Sequence, residues 1–401
     1  MLAALGTFGF SGLANAQEPT PVFKAGMAER NITLEIGCEA PGGYGKSYHK
    51  TLHDACKVRV AVFDDGSNRV ALIGIDALFI HRTTTLNVRK EIARKTKIPE
   101  GNILIGASHS HSSGPMSGVM PGDFDDASKL VQKLAYEQST CADASYLAKV
   151  EGAIVEAVLA DNEGCLSVKA GIGKGVEDKV AFNRRFKMRD GGAATNPGLG
   201  NPDIVEPAGP VDPEVGIIGV WGDNNKLLGF VVNFCCHATT SPDGISANYI
   251  YFLEKVIQGY YGKDAVVVFL NGASGDVTQV DNRSAYRLPT GERSAQLVGG
   301  RVGAEALKQL LIMEPGILVP VAAKTTILPI KRRVPSAERV KQALEMVEKD
   351  PMKVVSTEWT FAKEIILLDA LLKKEPIVDV EVQAVQVGPA VFLTTPAEYF
   401  C

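Results

Sequence analysis

Short, fully apolar runs that end on clusters of polar residues recur along the chain, and this pattern restricts its fold more than any other feature. Ile103, Leu104 and Ile105 lead into Gly106-Ala107-Ser108-His109-Ser110-His111-Ser112-Ser113-Gly114-Pro115. Residues 227–234 lead to Cys235, Cys236 and His237, and residues 265–270 to an Asn271–Asp276 turn. Residues 69–75 end at Asp76, and residues 392–394 at Thr395-Pro396-Ala397-Glu398. Such runs read as buried strands, and open α/β folds place their chemistry beyond the carboxyl ends of strands.

Between these runs the periodicity changes to that of helices. Leu147, Val150, Ile154 and Val158 recur at helical spacing, which predicts a helix over 144–160, and Val298, Val302, Ala306 and Leu310 mark another. Further helices are expected over 82–97, 248–260, 336–349 and 358–373. Residues 57–63 and 69–75 flank Asp64-Asp65-Gly66-Ser67, and 215–221 and 227–234 flank Asp223-Asn224-Asn225; both pairs read as hairpins. Residues 166–172 read as one strand, 321–328 as a strand bracketed by Pro320 and Pro329, and 378–387 with 390–394 as a closing hairpin. The Gly/Pro/Asn-rich stretch 191–213 is longer than a connection needs and reads as a functional rim. Strands and helices alternate while several strand pairs are hairpins. The expected fold is therefore α/β, a layered domain with a mixed β-sheet flanked by helices and the active site at strand C-terminal ends.

Composition narrows the classes of function. A formal net charge of −4 leaves no basic footprint, which argues against nucleic acid as a partner. Lys and Arg form no polybasic block, and beyond the N-terminus no apolar run is long enough to span a bilayer. No stable membrane anchor is expected, which leaves room for transient contact with a membrane surface. Residues 1–16 are small and apolar and end Ala14-Asn15-Ala16, the pattern of an export signal, so a secreted or periplasmic location is expected for a mature domain over 17–401. None of the seven cysteines forms a Cys-x-x-Cys pair, so a thiolate zinc site is unsupported. In an exported protein Cys38–Cys56 or Cys141–Cys165 are candidate disulfides, and Cys235-Cys236 read as apolar fillers of a strand. The sequence carries no signal for oligomeric state.

His109 and His111 are two of only six histidines in the chain. In extended backbone, residues two apart point to the same side. The pair suits a metal, or one metal ligand beside one proton-handling group; the plainer alternative is two loop histidines bonded to nearby hydroxyls. Two separated histidines and one carboxylate form the ligand set of a hydrolytic zinc site with an open position. Asp276 reads equally as support for such a site or as a backbone cap, and Asp76 as a structural carboxylate ahead of one that orients a ligand histidine. Ser274 lacks the second glycine of a nucleophile elbow, and its turn lacks the Lys-Ser/Thr end of a phosphate loop. His49, His53 and His81 have no paired context.

Taken together, the motifs resemble the neutral/alkaline, non-lysosomal ceramidase family. Gly-Ala-Ser-His-Ser-His-Ser-Ser-Gly-Pro is similar to that family's Thr-His-Thr-His-Ser-Gly-Pro segment, and Asn233-Phe-Cys-Cys-His237-Ala-Thr to its second histidine strand. Asn271-Gly-Ala-Ser-Gly-Asp-Val resembles its Asn-x-Gly-Asp-Val-Ser turn, and Thr395-Pro-Ala-Glu398 its Pro-Gly-Glu turn. The motifs follow the family order across the catalytic domain, as in a short bacterial-type branch. The resemblance implies Zn2+ held by His109, His237 and Glu398. It implies catalytic roles for His111, in substrate contact and proton transfer, and for Arg184, of Asn183-Arg184, on the amide oxygen or acyl product. It further implies hydrolysis of the N-acyl amide bond of a ceramide-like lipid amide substrate to a fatty acid and a sphingoid base. Two departures stand out. The family's tyrosine ligand lies downstream of the glutamate, beyond Cys401, so either the domain is incomplete at that end or the site is completed differently. The family's Ser-Gly-Asp reads Ser246-Ala247-Asn248 here. The alternatives are a zinc hydrolase acting on another amide or an ester, and an exported binding protein without activity.

Overall fold

The computed structural model describes residues 23–286 and 289–401, so the export signal expected over 1–16 lies outside the described residues. In the first part of the chain, β1 (Lys24–Asn31), β2 (Lys57–Asp64) and β3 (Arg69–Ile75) are followed by helix α1 (Arg82–Lys95) and β4 (Ile103–Ala107). A short helix, α2 (Lys129–Gln132), precedes α3 (Ala144–Glu163) and β5 (Leu166–Ser167). These strands form a sheet in the order β4-β3-β2-β1-β5, parallel only between β3 and β4. Period-two alternation separates its two faces. Val58, Val60 and Val62 of β2 pack with Ile92 of α1 and Ile154 and Val158 of α3, whereas Ala61 and Phe63 point the other way.

That opposite face meets a second sheet. β6 (Lys169–Val176), β7 (Phe182–Asn183), β8 (Arg185–Met188), β9 (Ala193–Thr195), β10 (Ile204–Pro207), β11 (Glu214–Trp221) and β12 (Leu227–Phe234) follow in sequence. Next come α4 (Tyr249–Tyr261), β13 (Val266–Asn271), β14 (Val277–Thr278) and α5 (Glu292–Ile312). The second sheet has the order β13-β12-β11-β6, parallel only between β12 and β13. Phe230, Val232, Val267 and Phe269 face Leu253 of α4 and Val302 of α5, while Val231, Val268 and Leu270 interleave with Phe63, Leu72 and Leu104 of the first sheet. The architecture is thus helix, sheet, sheet, helix: the layered mixed α/β fold expected, but with two sheets where the sequence suggested one. At about 1.5–3 kcal/mol per fully buried large aliphatic or aromatic side chain, the apolar layer between the two sheets holds the halves together.

A charged cluster also crosses the layers. Arg59 of β2 is 2% exposed and donates to Asp76 at 2.7 Å and to Glu254 of α4 at 2.6 Å. Lys57 bridges Glu254 at 2.6 Å and Glu29 at 2.8 Å. Removing one partner would strand a buried charge, at a cost of about 3–5 kcal/mol. Asp76 is therefore structural, as expected.

The last part of the chain adds β15 (Val321–Lys331), α6 (Ala337–Val347), α7 (Ser356–Lys374), β16 (Ile377–Val387) and β17 (Ala390–Thr394). The three strands form an antiparallel sheet in the order β15-β16-β17. Val321, Val385 and Val387 join the core between the two main sheets, and Arg89 of α1 reaches Glu381 at 2.6 Å. α6 and α7 pack Ala343, Trp359 and Ile366 against Val119, Phe124 and Leu134.

Four expectations need correction. The strand read over 166–172 is split, because the chain leaves the first sheet at Ser167 and enters the second at Lys169. Residues 191–213 are not simply a loop, since β9 and β10 flank β8 in a small sheet. β15 runs through Pro329 to Lys331, which an edge strand tolerates because the missing N–H faces away from the ladder. All seven cysteines are free, so neither candidate disulfide forms. No helix among the described residues is long and apolar enough to cross a membrane.

Candidate metal centre

β3 and β4 of one sheet and β12 and β13 of the other end at the same edge of the sandwich, and their loops interlock there. Past β4, Ser108 N donates to Ile75 O at 2.8 Å and Ser110 N to Ala77 O at 3.0 Å. His111 N donates to Ala238 O at 3.2 Å, and Ser110 pairs with Ala238 in a parallel bridge that ties the two sheets' loops together. His237 N donates to Val277 O at 3.0 Å. The backbone at His109 is not extended: its φ is +62°, a region non-glycine residues rarely occupy. His109 and His111 do share a site, but a left-handed residue turns them toward each other, not strand alternation.

Each imidazole is oriented by a main-chain carbonyl. His109 Nδ1 donates to Leu78 O at 2.9 Å, His111 Nδ1 to Gly42 O at 3.0 Å, and His237 Nδ1 to Ser274 O at 2.6 Å. A carbonyl only accepts, so the proton of each neutral ring sits on Nδ1 and the lone pair is left on Nε2. The three Nε2 atoms converge. Those of His109 and His111 are 3.4 Å apart, and the donor atoms of His109, His111 and His237 all lie within 4.8 Å of one another. Glu398 Oε2 sits 3.5 Å from His109 Nε2 and 3.6 Å from His237 Nε2. In a tetrahedral zinc site with bonds of roughly 2.0–2.1 Å, neighbouring ligand atoms are about 3.3–3.4 Å apart. Lone pairs facing one another with no proton between them are the arrangement a cation satisfies, and the donor set suits Zn2+.

Electrostatics point the same way. Burial holds the His109 imidazole below its ordinary pKa, against the opposing pull of Glu398. Burial, then the neighbouring His109, lowers His111 to about 4 and His237 to about 3, with the Arg184 charge adding to both. All three are therefore neutral lone-pair donors at pH 7. His111 is the outlying member of the three. Its ring centroid is 5.9 Å from that of His237, against 4.5 Å between His109 and His237, and it is less buried than either.

Glu398 arrives from the end of the last sheet and docks on the turn after β13. Gly275 N donates to Tyr399 O at 2.7 Å, and Cys401 N donates to Asp276 Oδ1 at 2.9 Å. A side chain at Gly275 would place its Cβ 2.4 Å from Glu398 O, so glycine is required for the close approach. Asp276 Oδ2 accepts from Asn183 Nδ2 at 2.8 Å. Arg184 is fixed by its own N–H on Asp276 O at 2.7 Å and by Nη2 on Gly275 O at 2.6 Å, close enough for its charge to act on all three imidazoles. Arg185 turns instead over the Phe400 ring at 4.9 Å. Asn248 is the N-cap of α4, its Oδ1 accepting from Tyr249 N at 3.1 Å.

The site thus brings together His109, His111, His237 and Glu398, with Arg184 at its edge. His49 instead contacts Ser113 O at 2.9 Å and His53 contacts Asp54 at 2.7 Å, and neither they nor His81 belong to the cluster. Reasoning from the sequence missed the carbonyls of Gly42, Leu78 and Ser274. Main-chain acceptors leave no side-chain signature in a sequence.

No family model and no curated protein matches the sequence. Among solved structures, neutral ceramidase from Pseudomonas aeruginosa superposes with a TM-score of 0.62 at 16% identity, covering 94% of this chain and 62% of that one. A ceramidase complexed with C2 gives a TM-score of 0.63 at 15% identity, covering 93% and 63%. The chain spans less than two thirds of the length of either. Over nearly its whole described length, this chain has the fold of neutral ceramidase.

Proposed function

We propose that the protein is a zinc-dependent amidohydrolase that cleaves the N-acyl amide bond of ceramide-like lipids, releasing a fatty acid and a sphingoid base or amine. One observation carries the reading: three imidazoles, each locked by a carbonyl at Nδ1, present their Nε2 lone pairs to one point beside Glu398. The likeness to ceramidases supports the choice of reaction.

His109, His237 and Glu398 would hold the ion, because Glu398 Oε2 stands almost equally far from both Nε2 atoms. A zinc ion there supplies Lewis acidity toward water and an amide carbonyl. His111, the outlying imidazole, is assigned to proton transfer: its neutral Nε2 accepts a proton from the attacking water and returns it to the departing amine nitrogen. The Gly42 carbonyl stabilises the imidazolium formed in between, since Nδ1–H remains its donor. Arg184 spends one Nη2–H on Gly275 O and keeps further donors for the amide oxygen as negative charge develops there. The residue before Gln17 is assigned as the end of an export signal, so N-terminal sequencing of secreted or periplasmic protein should begin at Gln17.

The test pairs metal analysis of the purified protein with a panel of ceramides, short N-acyl amides and matched esters. Stoichiometric zinc with fastest turnover on ceramides is expected. Zinc with turnover confined to esters or short amides would move the substrate assignment, and protein that takes up no zinc would overturn the reading.

A further inference from the structure

Of the three carbonyls that orient the histidines, two belong to loops of the sandwich itself, Leu78 beyond β3 and Ser274 beyond β13. The third, Gly42 O, lies on a segment outside both main sheets. That segment presses on the site: a Cβ at Gly42 would sit 2.4 Å from His111 O. Its two ends pair with each other, Ala40 N donating to Ser47 O at 2.9 Å and Lys46 to Glu39 at 2.7 Å, but Gly42, Gly43 and Gly45 give the tip between them little rigidity of its own. Further braces come from elsewhere. Thr140 Oγ1 donates to Gly43 O at 3.3 Å, and Cys141 N donates to Glu39 Oε1 at 2.7 Å.

A third brace is unusual. Lys363 of α7 is 1% exposed and belongs to neither the sandwich nor the metal centre. Its ammonium donates to Tyr44 O at 2.7 Å, to Ser139 Oγ at 2.6 Å and toward Gln138 O at 3.4 Å, with Glu364 Oε1 at 2.9 Å. Ser139 passes its own hydroxyl proton to Leu134 O at 2.9 Å, so it is free to accept from Lys363. A buried cation is expensive, and packing alone would be met as well by a methionine of similar length. What the ammonium adds is a fixed position for the Tyr44 carbonyl, two residues from the one that holds His111.

We propose that Lys363 is a positioning residue for His111, acting through the Gly42–Tyr44 segment to hold the imidazole at its angle. The kinetic part of this inference rests on the hydrolase reading; the geometric part does not.

The test uses metal-free, full-length protein labelled with 15N only in histidine, comparing wild type with Lys363→Met. In the variant, solvent exchange of the His111 Nδ1–H should accelerate on the order of 10-fold, as expected for a locally loosened segment. The His109 and His237 signals should stay unchanged and serve as the internal check of folding. Glu364→Gln, which leaves the Tyr44 bond in place, should behave as wild type. If Lys363→Met does not fold, Lys363→Gln, too short to hold Tyr44 and Ser139 together, should show a smaller change confined to His111. On the zinc-loaded enzyme, kcat should fall on the order of 10-fold to 100-fold with KM within about twofold, the pattern of a displaced catalytic group. A folded variant whose His111 signal matches wild type, or in which all three histidines shift together, would overturn the proposal while leaving the hydrolase reading intact. Wild-type protein inert toward every amide and ester would remove that reading and leave the resonance result standing.

Discussion

His109 and His237 sit in mirrored circumstances. Each lies just past a strand of a parallel pair and is aimed by a carbonyl from the neighbouring strand's loop, deep in the sandwich. His111 and Glu398 differ: one leans on a glycine-rich segment braced by α7, the other hangs from the end of the small antiparallel sheet. On the proposed reading the core supplies two metal donors, each held by packing and by one carbonyl hydrogen bond. The periphery supplies His111, proposed to handle the proton, and the Glu398 carboxylate, whose positions depend on a few hydrogen bonds. Damage in the first region should abolish the centre, and damage in the second should detune it.

The largest expected effect tests the core pair. His109→Ala or His237→Ala should lose bound zinc, read by metal analysis, with activity down at least about 100-fold; undiminished zinc in either variant would remove that residue from the ligand set. Next comes the peripheral imidazole. His111→Ala should keep zinc while kcat drops on the order of 100-fold to 10,000-fold, and loss of metal there would make His111 a ligand and erase the distinction between the regions. Gly275→Ala should push the Glu398 segment outward and weaken zinc affinity, by about 10-fold to 100-fold, with little change in thermal stability.

The smallest effect lies far from the site, on α3. Asp161 is 2% exposed and neither of its carboxylate oxygens has a hydrogen-bond partner. Burial pushes its pKa well above the ordinary carboxylate value. A raised folded pKa means that the native state holds this proton more tightly than the unfolded chain. The stability Asp161 contributes is therefore present in acid and lost as pH rises from about 4 through the folded value. Asp161→Asn should stabilise the protein by about 1–3 kcal/mol at pH 7 and by little at pH 4, seen as a pH-dependent difference in denaturant midpoint. Equal midpoints at both pH values would sink this account.

The histidines also set a direction that can be checked on the metal-free protein. Folded pKa values lowered to about 4 and about 3 for His111 and His237 mean that the unfolded chain binds more protons as pH falls below about 6.5. Their contribution to stability is complete above that pH and shrinks as pH falls toward 4.

Much of this was readable from side chains. Buried strands appear as unbroken apolar runs, and the clustered histidines stand out because histidine is scarce in the chain. What escaped was carried by the backbone. The argument from strand alternation brought His109 and His111 together for the wrong reason, since the turn at His109 is left-handed. Nothing in 166–172 announces that the chain changes sheets near Val168, because the two exposed residues of β5 are too few to carry a burial pattern of their own. Pro329 looked like a strand end, since only topology reveals that β15 is an edge.

Arg59, clasped between Asp76 and Glu254, joins β2 to α4 across the boundary between the two halves. The two halves are thus joined by buried charge as well as by apolar packing. For the lipid substrate proposed above, access to the histidines would be set at the rim, by surface segments such as the one around the exposed Tyr44.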